Sequence, residues 1–210
     1  DGQRIAYSSQ EKGGAQNLWW IRADGGGNAQ RLTESKSPQN AHSWRPDGKV
    51  LAFRQGNPGT SNDIMTLSIT GDEKSGWKPG EPKPFVNSTF SEVLEAFSPD
   101  GRWLAYTSNE SGSYEVYVRP FPGPGGRWQI STGDGQSPRW SRNGKELFYR
   151  TNDSKIMVAT YSASADSFRA GKPQLWSPGQ FTDRGLAYNF DLHPDGKRFA
   201  VLKAPGTEET

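Results

Sequence analysis

Runs of three apolar residues without a polar break recur along the chain. They stand at Ile5-Ala6-Tyr7, Leu51-Ala52-Phe53, Leu104-Ala105-Tyr106, Leu147-Phe148-Tyr149 and Phe199-Ala200-Val201. A strand with one wet face alternates apolar and polar residues. An unbroken triplet therefore predicts a strand dry on both faces, with a sheet packed on either side. Each triplet begins four residues after an Asp or Asn that precedes a glycine: Asp1, Asp47, Asp100, Asn143 and Asp195. Three residues before the last four of these anchors stand Trp44, Phe97, Trp140 and Leu192. A third apolar stretch follows, at Leu18-Trp19-Trp20-Ile21, Ile64-Met65-Thr66-Leu67, Val116-Tyr117-Val118 and Ile156-Met157-Val158. A weaker fourth closes each unit, as "QRLT" from Gln30, "KPFV" from Lys83, "RWQIS" from Arg127 and "PQLW" from Pro173. Four short strands per repeat predict an antiparallel four-stranded sheet.

The anchors are spaced by 46, 53, 43 and 52 residues. For strands, a period of this size means propeller blades. In "SPDGRWLAY", from Ser98 to Tyr106, Pro99 pre-sets φ at the first central turn position, Asp100 bonds the backbone ahead of it, and Gly101 supplies φ > 0. Asp47-Gly48, Asn143-Gly144 and Asp195-Gly196 repeat this, so all eight residues are expected to be structural turn anchors joining the first strand of a blade to the second. The alanines at 6, 52, 105 and 200 leave room for the next blade. No helix-length amphipathic pattern interrupts the series, which argues against an α/β fold. The expected fold class is all-β, a β-propeller of four-stranded antiparallel blades with about four to five present. The divisions are a partial blade at 1–36, blades at 37–90, 91–133 and 134–178, a partial blade at 179–204 and a tail at 205–210. An open arc would expose strand edges, so the expectation is a segment of a larger ring of six or more blades. A five-blade closure leaves one strand over.

Composition fits this picture. Only 31% of the 210 residues are hydrophobic, yet 8 Trp, 7 Tyr and 10 Phe fill the strands, and 25 Gly and 15 Pro supply turns. The net charge is +2 with both signs interspersed, so neither nucleic acid nor an anionic membrane surface is an expected partner. There is no Cys, hence no disulfide or thiolate chemistry. No apolar run approaches a membrane span and no signal peptide is visible. The chain opens inside a turn, as expected of a piece of something longer.

Candidate chemistry is sparse. The nucleophile motif G-x-S-x-G is absent, and the only histidines are His42 and His193. His193 replaces the serine of the turn phrase and reads as turn packing. His42, two residues before Trp44, lies on an expected innermost strand where it can face a channel. The Asp and Asn anchors come one per repeat, unlike the clustered oxygens of a calcium loop, so turn capping is favoured over a metal array. The phrase is similar to the Asp-box of sialidases but lacks its spacer between Asp and Gly. Gly25-Gly26-Gly27 and "PGPGG" at 122–126 lack the Lys-Ser/Thr ending of a P-loop and precede no helix. Sequons at Asn87, Asn109 and Asn152 fit surface loops. Lys49, Arg102, Lys145 and Lys197 flank the turn glycines as solvated charges. The stretch "TGDEKSGWKPGEP" at 70–82 reads as a long loop carrying Trp77, either a binding anchor or a packed lid. No catalytic residue, metal site or cofactor is expected.

The repeated phrase, followed by a strand such as "YEVYV", resembles the TolB-type propeller repeat, a relative of WD repeats without the Trp-Asp dipeptide. The stretches "YEVYVRPFPGPGGRWQISTGDGQSPRWSRNGKELFYR" and "NFDLHPDGKRFAVLKAP" resemble the C-terminal propeller of bacterial, notably acidobacterial, receptor-like serine/threonine protein kinases. That resemblance implies a periplasmic or extracytoplasmic module tethered to a membrane-spanning kinase. The kinase motifs themselves are absent from this chain. Prolyl-oligopeptidase-like peptidases carry similar propellers, so a substrate-gating propeller is the alternative. By either resemblance the chain is a non-catalytic binding module for a protein or peptide. Strand one then lines a channel, and the segments 34–42, 87–95, 132–139 and 178–189 form one rim. On these elements His42, Glu92, Glu95, Arg139 and Arg184 are the expected ligand contacts.

Overall fold

The computed structural model describes residues 2–11, 13–59, 61–164, 167–178 and 188–202. Among these there is no helix, and the chain divides into two compact units, Asp1–Phe97 and Ser98–Thr210. In the first unit, β1 (Arg4–Gln10), β2 (Gln16–Arg22) and β3 (Gln30–Arg31) form a sheet in that order. Next come β4 (Gln39–Trp44), β5 (Val50–Asn57), β6 (Ser61–Asp72), β7 (Gly76–Pro79) and β8 (Lys83–Val86), ordered β4-β5-β6-β7 with β8 also on β6. Then β9 (Glu92–Phe97) ends the first unit, and the second opens with β10 (Trp103–Ser108), β11 (Glu115–Pro120) and β12 (Trp128–Gln129), hydrogen-bonded in that order. The second unit continues with β13 (Gln136–Trp140), β14 (Glu146–Arg150), β15 (Ile156–Ala163), β16 (Phe168–Ala170) and β17 (Gln174–Ser177). Their order is β13-β14-β15-β16, with β17 also on β15. The hairpin of β18 (Phe190–Leu192) and β19 (Phe199–Val201) follows. Sheet order follows chain order except that β8 and β17 return past the arms β7 and β16 to pair β6 and β15, and the fold is a β-propeller segment.

The anchors behave as turns. Gly48, Gly101, Gly144 and Gly196 have φ of 70°, 67°, 68° and 70°, in the left-handed region that favours a residue without Cβ. In each turn the side-chain oxygen of Asp47, Asp100, Asn143 or Asp195 accepts the N–H two residues on, at 2.8–3.1 Å. Asp1, the remaining anchor, lies outside the described residues. Ser98 Oγ adds a staple: it donates to Asp100 at 2.6 Å and accepts the Trp103 N–H at 3.0 Å. Ser141 does the same with Asn143 and the Glu146 N–H.

The triplets of β5, β10 and β14 are buried, and β10 is buried at every residue. In β1 and β19 the expectation of two dry faces fails, because Ile5 is 53% and Val201 36% exposed. These strands belong to sheets of three and two strands, with fewer described neighbours to cover them.

Within the first unit, Leu18, Trp20 and Leu32 of the first sheet region pack with Leu51, Phe53, Met65, Leu67 and Ile69 of the second. Within the second unit, Trp103 meets Trp128 at 5.5 Å and Phe168 at 5.2 Å, while Trp140 meets Tyr161 at 4.9 Å. Phe148, Ile156 and Phe190 make a further cluster against Val158, Leu192 and Phe199.

Residues 70–82 are not a plain loop. Strand β6 runs on to Asp72 and pairs with β7, Ile69 opposite Pro79 and Asp72 opposite Gly76. Gly71 and Gly76 close this hairpin at φ 95° and 78°, and Asp72 accepts the N–H groups of Lys74 and Ser75. Trp77 is a packed lid: its ring lies edge-on to Trp20 at 6.1 Å, and the Arg4 guanidinium sits 4.1 Å above it. An analogous arm carries Phe168 on β16, paired to the end of β15, onto Trp103 and Trp128. Alternation along so short a segment does not distinguish such an arm from a loop.

Candidate functional site

The first strands β4, β9 and β13 carry His42, Glu92, Glu95 and Arg139, and each of the three bends locally. In β4 the register slips between Ala41 and Ser43, so His42 is the extra residue of a bulge. In β13 it slips between Gln136 and Arg139. Leu94 (φ 57°) and Ser137 (φ 55°) adopt left-handed backbone at the same repeat position, six residues before the turn anchor. A branched or polar side chain at positive φ stores roughly 1–3 kcal/mol, held by the surrounding sheet. Such kinks re-aim the side chains that follow, which here are Glu95 and the Pro138-Arg139 pair.

In the first unit this brings His42 and Glu95 together across 53 residues of sequence. Imidazole Nδ1 lies 2.9 Å from Glu95 Oε2, with Glu95 wholly buried and the His42 side chain 10% exposed. A cleft of about 270 Å³ opens beside them, lined by Arg4, Ile5, Ala6, Ala41, His42, Trp44 and Leu51. Its walls mix the apolar Ile5, Ala6, Ala41, Trp44 and Leu51 with the polar Arg4 and His42. Arg4 is held between the Trp20 and Trp77 rings and paired with Glu73. A fixed imidazole at a cleft of mixed lining can orient a polar group of a ligand while the aliphatic and aromatic wall takes an apolar one. Sequence reasoning did not place Arg4 here, and its distance in sequence from β7 left no signal.

Glu92 does not join this pair. It is buried at the start of β9 and accepts a hydrogen bond from Ser88 Oγ. Ser88 Oγ also accepts the Phe90 N–H at 3.0 Å, which stiffens a short segment whose tip, Phe90, is 41% exposed. Asn62, on β6 of the preceding sheet, donates to Ser91 Oγ.

In the second unit Arg139 is the centre of a separate cluster. Its guanidinium lies 3.6 Å over the Tyr188 ring, Nε donates to Asp191 Oδ1 at 3.1 Å, and Nη1 donates to the Pro138 carbonyl at 3.0 Å. Nearby, Asp134 accepts the Asn152 N–H; burial pushes its carboxyl above the usual range, and Glu115 and Asp153 add to this. Burial likewise pushes the Tyr149 hydroxyl up to about 12. Arg184 lies outside the described residues. No group of three or more His, Cys, Asp or Glu suited to a metal ion occurs among the described residues.

No protein-family model matches the chain. The chain is 27% identical to the "uncharacterized peptidase YuxL" of Bacillus subtilis over 56% of its own length, and it spans 23% of that protein. It therefore covers less than a quarter of that relative. Among solved structures, one described as a TolB of Agrobacterium tumefaciens superposes with a TM-score of 0.63 at 18% identity, over 85% of this chain and 64% of that one. Puromycin hydrolase superposes with a TM-score of 0.61 at 12% identity, over 91% of this chain and 31% of that one. At these identities the likeness is one of fold, and it is to TolB-like β-propellers that this chain is similar.

Proposed function

We propose that the chain is the ligand-presenting propeller of a larger protein, binding a protein or peptide along its first strands and not transforming it. The observation that carries this reading is the His42–Glu95 pair beside its cleft. A buried carboxylate fixing an imidazole on a bulged strand is not required by the repeat, whose equivalent position holds Pro138 in β13. The sequence offers no nucleophile elbow to accompany that pair. The expected parent is a receptor-like serine/threonine kinase with the propeller outside the cytoplasm, and this rests on the sequence resemblance.

A second reading is favoured by the likeness to YuxL and to puromycin hydrolase. In it the propeller gates a serine peptidase and selects peptides by size and polarity. The contiguous coding sequence separates the two. An upstream kinase and membrane span support the first reading, and an adjacent domain with G-x-S-x-G overturns it. Binding itself is tested by peptide-display selection on the purified chain. Selected peptides should lose at least about tenfold in affinity with Glu95→Gln or His42→Ala, a loss on the scale of one buried charged hydrogen bond. Unchanged affinity in both variants removes this cleft from the site.

A further inference from the structure

We propose that Arg139 is a carboxylate anchor, taking an acidic group of a peptide ligand: a chain-terminal carboxylate or an acidic side chain. This rests on the ligand-presenting reading and names the chemistry of a contact made by the second unit.

The position is set apart by the repeat. Four residues before the turn anchor the other repeats place Ser43, Ala96 and Asp191, so the architecture has no need of a guanidinium there. Asp191 is itself the partner of Arg139, so consecutive repeats supply opposite charges at one register. The guanidinium is oriented on three sides. Tyr188 lies flat beneath it, Phe190 is 5.8 Å away, and the Pro138 carbonyl fixes Nη1. Its side chain is only 16% exposed, so its hydrogen bonds are worth more than those of a surface arginine.

A guanidinium has five N–H groups in a planar fork. Among the described residues one is bonded to Asp191 and one to Pro138, which leaves three, enough for both oxygens of a carboxylate. Asp191 is a weak competitor. Its side chain is 75% exposed, and its Oδ1 already accepts the Leu192 N–H at 3.0 Å, so it can stay on the backbone while water takes its place at Arg139. A ligand carboxylate that arrives with the Tyr188 ring behind the guanidinium meets a donor already turned and partly stripped of water. Lysine has no comparable fork, so the site also explains why arginine stands there.

The test is a titration of the whole chain, read by NMR at the Arg139 Nε–H and the Asp191 and Leu192 amides. N-acetylglycine mimics a peptide C-terminus, the α-amide of N-acetylglutamate mimics an acidic side chain, and N-acetylglycinamide is the neutral control. At least one of the two acids should give saturable shifts that the control does not, and the tighter acid identifies the source. Asp191→Asn, a change at an exposed site that leaves the fold intact, should tighten acid binding about two- to fivefold by removing a surface ion-pair competitor. Arg139→Gln should abolish the shifts at the Asp191 and Leu192 amides. The proposal is overturned if neither acid saturates, if the neutral control shifts the same resonances equally, or if Asp191→Asn leaves affinity unchanged. A chain that captures peptides without any carboxylate effect refutes the anchor and leaves the ligand-presenting reading standing.

Discussion

Replacing Ser98 by Ala isolates the part of the turn phrase that composition alone would not single out. Ser98 is buried, and its hydroxyl makes two bonds: one to the Asp100 carboxylate at 2.6 Å and one from the Trp103 N–H at 3.0 Å. Asp100 is 44% exposed, so water replaces most of what it loses and that bond contributes about 0.5 kcal/mol. The Trp103 N–H is buried at the head of a strand with no exposed residue, and leaving it without its acceptor costs about 1–2 kcal/mol. The sum is about 2 kcal/mol, or roughly 4–8 °C in Tm for a chain of this size. Urea unfolding with an unchanged m-value is the cleaner measure.

Linkage adds a pH signature. Burial pushes the Asp100 carboxyl up, but bonds from Ser98 and from the Arg102 N–H and guanidinium outweigh this and hold it below its ordinary value. A lowered native pKa contributes stability above the unfolded value near 3.9 and loses it as pH falls through the native one. The gap between the wild type and Ser98→Ala should narrow over that acid range. If Ser98→Ala and Ser141→Ala both unfold within about 0.5 kcal/mol of wild type, the staple is decorative and the reasoning fails.

Two further outcomes follow from packing and burial. A methyl on Gly71 would overlap the Gly76 carbonyl oxygen at φ 95°, so Gly71→Ala should splay the β6–β7 arm, expose Trp77 and red-shift tryptophan emission, at a cost of about 2–4 kcal/mol. Gly76→Ala, with open space around its Cβ, should cost only the left-handed strain of about 1–2 kcal/mol. Asp134→Asn keeps an acceptor for the Asn152 N–H while removing a carboxylate that burial disfavours. Because the native pKa is raised, that penalty is present above the native value and vanishes below about pH 4, so the variant should be more thermostable at neutral pH and indistinguishable in acid.

The turns and second strands were legible because their chemistry is local. Asp100 caps a backbone group two residues away, Gly101 meets a requirement on its own φ, and the Leu104-Ala105-Tyr106 run states its burial without reference to any other segment. The arms were not legible, since Trp77 and Phe168 are decided by partners 57 and 65 residues away at Trp20 and Trp103. Nor were the bulges: neither Leu94 nor Ser137 has a local reason to take positive φ, and the sheet imposes it. The His42–Glu95 pair illustrates the middle case. Each residue could be placed on a first strand from the phrase that follows it, but their meeting depends on kinks that the phrase does not encode.

The two arms also carry a direction. Trp77 reaches from the second sheet back to Arg4 and Trp20 of the first, and Phe168 reaches from β16 back to Trp103 and Trp128. On a ribosome, where the amino-terminal end emerges first, each arm is synthesised after the surface it covers. Each arm therefore emerges when the rings it covers, Trp20 for Trp77, and Trp103 and Trp128 for Phe168, have already been synthesised. Read from the other end, the same clasp would have to wait for its target, so the order of synthesis and the order of docking coincide in this chain.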